Sequence, residues 1–128
     1  MNLIKLKIDF DIPQKELPFK WPSFYSMGSC FAENQSMRLS GSGFNVKSNP
    51  FGIQYNPVSI EQTLRRIHLD KKYEAQDFIS SNRFFSLEHH GSFEYDSSNA
   101  AIEQSNLILT KTRDQLKKTD VCIFTLGT

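Results

Sequence analysis

The stretch FYSMGSCFAEN, residues 24–34, predicts a strand, a turn and the start of a helix in immediate succession. Bulky side chains in residues 23–28 favour a short buried strand. Gly28 lets the chain turn, and small residues at helical spacing predict a helix from Cys30 to Ser40. A strand that leads directly into a helix is typical of the first unit of an α/β fold.

The junction between this strand and helix allows two interpretations of Ser29 and Cys30. A side chain at a helix N-terminus lies among backbone N–H groups without intrahelical partners, which favour a thiolate or a developing oxyanion. Ser is also a preferred N-cap residue, and Cys is a common small core residue. The pattern by itself therefore favours capping and packing, with a nucleophile as the alternative.

Length and charge bound the class of protein. A chain of 128 residues, of which 38% are hydrophobic, can bury one core, so a single globular domain is expected. Fifteen Lys and Arg against fourteen Asp and Glu leave a formal charge of +1, which argues against a nucleic-acid partner. No stretch predicts a membrane span or a signal peptide, so no membrane partner is expected.

Cysteine usage bears on the compartment. The chain contains Cys30 and Cys122 alone, which is too few for a disulfide framework. Such usage is typical of a reducing interior, and we expect a cytoplasmic location.

Strand and helix signals alternate along the rest of the chain. Residues 1–22 predict a lead-in strand and a Pro-containing connector, and residues 23–128 an α/β core. Asn56 as N-cap and Pro57 as first helical residue predict the start of a second helix. The other predicted elements are a strand at Phe44 to Lys47, a hairpin within residues 82–95, a helix from Ser98 to Lys118, and a strand within residues 120–128.

The alternation predicts an α/β sandwich with a mainly parallel sheet. DVCIFTLGT, residues 120–128, is a continuous apolar run of the kind found in a fully buried parallel strand. Ligand-binding loops follow the carboxyl ends of such strands, and the loop after this one should begin where the sequence stops. We therefore expect these residues to be the N-terminal fragment of a larger domain.

Four sequence blocks in order resemble the GSCFA family, which is named for the pentapeptide at residues 28–32. The blocks are GSCFAEN, FNVKSNPFGIQYNPVSI, LEHHGSF and VCIFTLGT, and the resemblance runs from about Phe24 to Thr128. The family is related to SGNH or GDSL-like hydrolases. The resemblance therefore implies a flavodoxin-like fold, with helices on both faces of a mainly parallel sheet.

The resemblance also implies roles for residues of the first block. Gly28 matches the Gly of the superfamily's Gly-Asp-Ser block, Ser29 falls at its Asp, and Cys30 falls at the nucleophilic Ser. Cys30 is thus the implied nucleophile, and Ser29 takes that role if the turn is shifted by one residue.

Later blocks supply the implied oxyanion and pocket residues. Gly52 matches a Gly whose backbone N–H binds the oxyanion, with a loop glycine as the alternative, while Asn49 is a substitute oxyanion donor or a turn residue. Gly127 matches the start of a third block. His89 and His90 resemble a family signature and line the substrate pocket, or else lie in an exposed loop. Adjacent His side chains diverge in a strand, which argues against a metal site.

The implied function is that of an SGNH-like hydrolase or acyltransferase, which attacks an ester such as an acylated carbohydrate. The implied partner is a small-molecule or carbohydrate ester, and no cofactor is implied. The superfamily's general base is a His in a late Asp-x-x-His block, which these residues do not match, so the fragment is expected to be inactive. The alternative is a binding or structural module that keeps the fold and has lost the chemistry.

Overall fold

The computed structural model describes residues 21–127, so the predicted lead-in strand lies outside the described residues. Within this range, no helix combines the length and apolar character that crossing a membrane requires. A short 3-10 turn lies at Ala75–Asp77. The elements in chain order are β1 Phe24–Gly28, α1 Cys30–Gly41, β2 Val46–Ser48, α2 Pro57–His68, β3 Ile79–Ser80, β4 Phe84–Phe85, α3 Ser98–Leu116 and β5 Val121–Thr125.

The main sheet has three parallel strands in the order β2-β1-β5. Phe24 of β1 is in register with Val46 on one side and with Val121 on the other. The chain therefore moves outward to β2 and then returns past β1 to β5, which is how a flavodoxin-like sheet begins. The predicted α/β class with a mainly parallel sheet is confirmed.

The two faces of β1 pack against different layers. Tyr25 and Met27 are buried in a cluster with Ile60 of α2. Ser26 and Gly28 alternate with them and point to the opposite face, where α1 packs along β1 and β2. Ala32 and Ser36 are the buried residues of α1, and these small residues at helical spacing let the helix lie close to the sheet.

A second and larger core cluster lies between α2 and α3, outside the parallel sheet. Its members are mostly aromatic, and burial of each large side chain contributes about 1.5–3 kcal/mol. The buried residues are Phe51, Ile67, Tyr73, Phe78, Tyr95, Ala101 and Leu109.

Local capping residues set the helix starts where the sequence predicts them. Ser29 and Asn56 each accept a hydrogen bond from a backbone N–H of the first turn, and Pro57 occupies the first helical position of α2. Ser97 caps α3 in the same way, and that helix ends at Leu116, two residues before the predicted end. The helix starts depend on nearby residues alone, which is why the sequence locates them well.

The prediction that the last strand is buried on both faces is wrong. In β5 the exposed positions alternate with half-buried ones, and Phe124 is 47% exposed. The reason is that β5 is an edge of the described sheet, and α2 and α3 cover β1 more than β5. The second strand is also displaced from its predicted range by two residues at its start, and comprises Val46–Ser48.

The region predicted as a hairpin is organised differently from a regular hairpin. Phe84 and Tyr95 form one antiparallel bridge, with both backbone N–H···O hydrogen bonds at 2.9 Å. β4 otherwise pairs with β3, which precedes it. Within the segment that joins the bridged pair, residues 86–93 form a loop that contains both adjacent histidines and is called the histidine loop below.

Candidate active site

The carboxyl ends of β1 and β5 meet through direct contacts between their last residues. The backbone N–H of Ser29 donates to the hydroxyl oxygen of Thr125 at 3.0 Å, and the two hydroxyl oxygens lie 3.2 Å apart. Gly28 has a φ of +142°, and a Cβ added to it would lie 2.1 Å from the carbonyl oxygen of Thr125. Only glycine therefore permits this approach of the two strands.

Ser29 acts as the N-cap of α1, which confirms the capping interpretation of this residue. Its hydroxyl oxygen accepts from the backbone N–H of Phe31 at 3.3 Å, and the residue is 5% exposed. The hydroxyl is thus buried and engaged by the protein on two sides.

Cys30 differs from its neighbour because it is exposed to solvent. It is the first residue of α1 and follows directly from the turn after the central strand. Among residues 21–127 its backbone N–H has no hydrogen-bond partner, as expected for a first-turn amide. An accessible thiol and an available N–H donor therefore occur in the same residue, at the end of a helix where negative charge is favoured.

Asn49 joins the loop after β2 to the turn after β1. Its backbone N–H donates to the oxygen of Ser26 at 2.9 Å, and its side-chain oxygen accepts from the N–H of Gly28 at 2.9 Å. Its side-chain nitrogen lies 3.4 Å from a carboxylate oxygen of Glu33. Asn49 is 8% exposed and has a φ of +39°, a conformation that Asn tolerates better than most residues. These contacts hold the Asn49 side chain inside the protein.

Gly52 lies in a tight turn beside the histidine loop. Its φ is +85°, and its backbone N–H donates to the oxygen of Asn49 at 3.0 Å. A Cβ added to Gly52 would lie 2.3 Å from the Cβ of His90. The loop-glycine interpretation is confirmed by the positive φ, and donation to an oxyanion would require the bond to Asn49 to break.

The loop after β5 docks on the segment that precedes α2. The backbone N–H of Gly127 donates to the oxygen of Tyr55 at 3.3 Å, and the N–H of Gln54 donates to the oxygen of Gly28 at 2.9 Å. Gly28 at the end of β1 and the loops that contain Gly52 and Gly127 therefore meet at one end of the sheet. Ligands of open α/β sheets bind at this end.

The two histidines occupy different environments. His89 is 8% exposed and stacks on Phe51 with ring centroids 4.3 Å apart, and Tyr73 and Phe93 present their edges to it. His90 is exposed, and its Nδ1 accepts from the backbone N–H of Ser92 at 3.2 Å. The interpretation of both as exposed loop histidines is therefore wrong for His89, while a pocket role stays a prediction.

Burial controls the charge of His89. Neither ring nitrogen has a hydrogen-bond partner among the described residues. Desolvation lowers the pKa of His89 to about 4, with Arg66 acting in the same direction and Glu88 and Asp77 opposing it. His89 is therefore neutral at pH 7 and packs as an aromatic residue.

The sequence analysis did not identify Arg66 as a core residue. Arg66 is 6% exposed, and its guanidinium forms two hydrogen bonds with the Glu88 carboxylate, at 2.8 and 2.9 Å. It also lies 3.2 Å from Asp77 and 4.1 Å above the ring of Tyr73. No local signal separated Arg66 from Arg65, because the burial of Thr63, which lies three residues earlier on the same face of α2, could not itself be read from the sequence.

A groove of about 590 Å³ runs between α2 and β5, with Ile60, Leu64 and Phe124 in its lining. None of the predicted site residues lines it. The groove lies on the face of the sheet that Met27 shares with α2, and not at the turn that presents Cys30.

The fold and these contacts define an α/β protein whose polar loops gather at the carboxyl end of a parallel sheet. The family model described as the GSCFA family matches residues 23–128, and the chain belongs to this family. Comparison with curated proteins gave no match, and neither did comparison with solved structures.

Proposed function

We propose that this protein is an SGNH-like hydrolase or acyltransferase that uses Cys30 to attack an ester. The observation that carries the proposal is the exposed Cys30 thiol at the N-terminus of the helix after the central strand, with a backbone N–H that has no partner within residues 21–127. Family membership supports the fold on which such chemistry occurs. The proposed substrate class is an ester, of which an acylated carbohydrate is one example.

In the proposed reaction the Cys30 thiolate attacks the ester carbonyl carbon, and the carbonyl electron pair moves to its oxygen. The N–H of Cys30 donates to that oxyanion. The proton lost from the Cys30 thiol is held by the superfamily's His base. Collapse of the tetrahedral intermediate breaks the carbon–oxygen bond, and this His returns the proton to the leaving alkoxide. The resulting thioester is then cleaved by water in a hydrolase, or by an acceptor hydroxyl in a transferase. The 128 residues contain no Asp-x-x-His block, so the proposal assigns no general base within them.

Loss of catalysis in a binding or structural module is the second candidate. It is supported by the two predicted oxyanion donors, since the N–H of Gly52 and the side-chain nitrogen of Asn49 both contact protein oxygens. The two candidates predict different behaviour of Cys30. In a binding module the Cys30 thiol would react no faster than another accessible thiol.

Cys122 supplies an internal control for this difference. It is also an exposed thiol, but it lies on β5, and desolvation raises its pKa. We expect p-nitrophenyl acetate at pH 7 to acetylate Cys30 about tenfold faster than Cys122, because the backbone N–H of Cys30 can donate to the oxyanion that forms during acetylation. Peptide mass mapping of the wild type and of Cys30→Ala and Cys122→Ala variants measures both rates.

The result has four informative outcomes. Acetylation of Cys30 that is faster than that of Cys122, and also faster than that of Cys30 in the urea-unfolded chain, supports the acyl-transfer proposal, because the raised pKa of Cys122 slows that thiol in either case. A rate at Cys30 no higher than in the unfolded chain overturns it. Equal rates at the two thiols overturn it and favour the binding module, and an acetyl group on Ser29 moves the nucleophile to that residue. With a general base present, Cys30→Ala is expected to lower the rate of ester hydrolysis at least about 100-fold.

A further inference from the structure

Arg66 and Glu88 form a polar contact that is mostly shielded from water, and it fixes one end of the histidine loop. The Arg66 side chain is 6% exposed and that of Glu88 is 32% exposed. The Arg66 guanidinium also lies 3.3 Å from the backbone oxygens of Lys71 and Lys72, so it has polar partners on several sides. Paired hydrogen bonds between an Arg and a carboxylate restrict direction as well as distance, because the guanidinium is planar.

The adjacent residue on α2 provides a contrast. Arg65 pairs with Glu61 one turn earlier on the same helix, and both side chains are more than half exposed, at 68% and 52%. Exposed pairs of this type contribute little, since water screens them and both side chains lose freedom. Of these two ion pairs on α2, the Arg66 contact is therefore the one that can hold another segment in place.

From Glu88 the contacts continue into the loop after β2. The side-chain nitrogen of Gln54 lies 3.2 Å from the backbone oxygen of Glu88, and the N–H of His90 donates to the oxygen of Phe51 at 2.8 Å. The Cβ of His90 occupies the space that a side chain at Gly52 would need. The loop of residues 86–93 thus lies directly against the turn that contains Gly52.

From that turn the contacts reach the residues beside Cys30. The N–H of Gly52 donates to Asn49, and the side-chain oxygen of Asn49 accepts the N–H of Gly28. Each step between Arg66 and the Gly28–Cys30 turn is thus a hydrogen bond or a close packing contact between described residues. Contiguous contacts of this kind can carry energetic coupling between two sites.

We propose that Arg66 and Glu88 are positioning residues, which set the geometry of the Gly28–Cys30 turn through the histidine loop and Asn49. The importance of this geometry for chemistry rests on the proposed function. The effect of Arg66 and Glu88 on the geometry of the turn does not depend on the proposed function, and it can be measured without a substrate.

Backbone amide hydrogen exchange, followed by NMR on the 128-residue chain, tests the proposal. Glu88→Gln keeps the size of the side chain and removes its charge, and Glu61→Gln makes the same change in the exposed pair. The two reporter amides are those of Gly28 and Gly52. The reference amides are those of Phe24 and Val121, whose hydrogen bonds lie at the other end of β1.

In Glu88→Gln we expect the reporter amides to exchange about tenfold faster, with less than about a twofold change at the reference amides. Arg66→Lys keeps the charge but loses the paired hydrogen bonds, and should give a smaller change of the same kind. Glu61→Gln should alter neither set.

Equal acceleration at all four amides would mean that the contact only stabilises the fold, and would overturn the proposal. No acceleration at the reporter amides in either variant would overturn it as well. Selective acceleration together with equal acetylation of Cys30 and Cys122 would reject the proposed function and leave the positioning role standing.

Discussion

The turn at Gly28–Cys30 and the cluster around Arg66 use polar side chains in opposite ways. At the turn, Cys30 faces solvent and its backbone N–H is free among the described residues. In the cluster, a buried cation is surrounded by the carboxylates of Glu88 and Asp77. The difference teaches that the thiol at the turn remains accessible, while the polar groups of the Arg66 cluster contact one another and hold the loops together.

The Arg66 cluster provides the largest expected effect. Arg66→Ala leaves partly buried carboxylates without their partner, which is expected to destabilise the protein by about 3–5 kcal/mol. Arg65→Ala, the adjacent control, removes an exposed pair and should cost less than about 0.5 kcal/mol. Urea unfolding followed by circular dichroism measures both values. Similar costs for the two variants would remove the contrast between buried and exposed contacts.

Lowering the pH should reduce the free energy of unfolding through the buried His89. The folded state lowers the pKa of His89 to about 4 from an ordinary value of 6.5, because burial disfavours the charged ring. The unfolded chain therefore binds the proton more tightly, and the stabilisation is present above pH 6.5 and lost as the pH falls towards 4. The expected loss at pH 4 is about 3 kcal/mol.

His89→Phe isolates this contribution, since the variant keeps a ring in the aromatic cluster but cannot take up a proton. The difference in unfolding free energy between wild type and variant should change between pH 6.5 and 4, whereas carboxylate titration affects both proteins. His90→Phe is the control at an exposed position. Parallel pH profiles for wild type and His89→Phe would contradict the prediction.

Gly52→Ala tests the contact between the two regions. The new Cβ would clash with His90 and the backbone would keep a positive φ, so we expect a cost of about 2–3 kcal/mol. Gly43→Ala is the matched control, because Gly43 has a φ of +91° with nothing within 4 Å of an added Cβ. It should cost about 1 kcal/mol, and an equal cost at Gly52 would show that the histidine loop moves aside freely.

Apart from the control variants, Ser29→Ala is expected to have the smallest effect. It removes the N-cap of α1, which is worth about 1 kcal/mol, and leaves Cys30 in place. Thermal unfolding of the variant measures the cost. A much larger loss would mean that the hydroxyl contact with Thr125 contributes more to the joining of β1 and β5 than the cap does.

The sequence predicted the elements whose signals are local. Asn56 followed by Pro57 located the start of α2, and the strand, glycine and small residues of the opening stretch located β1 and α1. The exposure of β5 could not be predicted in this way, because an apolar run has the same sequence whether or not a helix covers it. In the candidate site, too, the sequence identified individual residues but not the contacts between them. Gly28, Asn49 and Gly52 were identified from blocks of sequence, but their mutual contacts were not.

By itself, the sequence determined the α/β class, the helix starts and the turn that presents Cys30, since caps, glycines and periodicity act over a few residues. Tertiary structure alone decided that Arg66 is buried while Arg65 is exposed, and that His89 enters the core while His90 remains outside. The physical reason is that burial of a charge or a ring depends on partners distant in the chain. Glu88 lies twenty-two residues from Arg66, and only folding brings it within hydrogen-bonding distance.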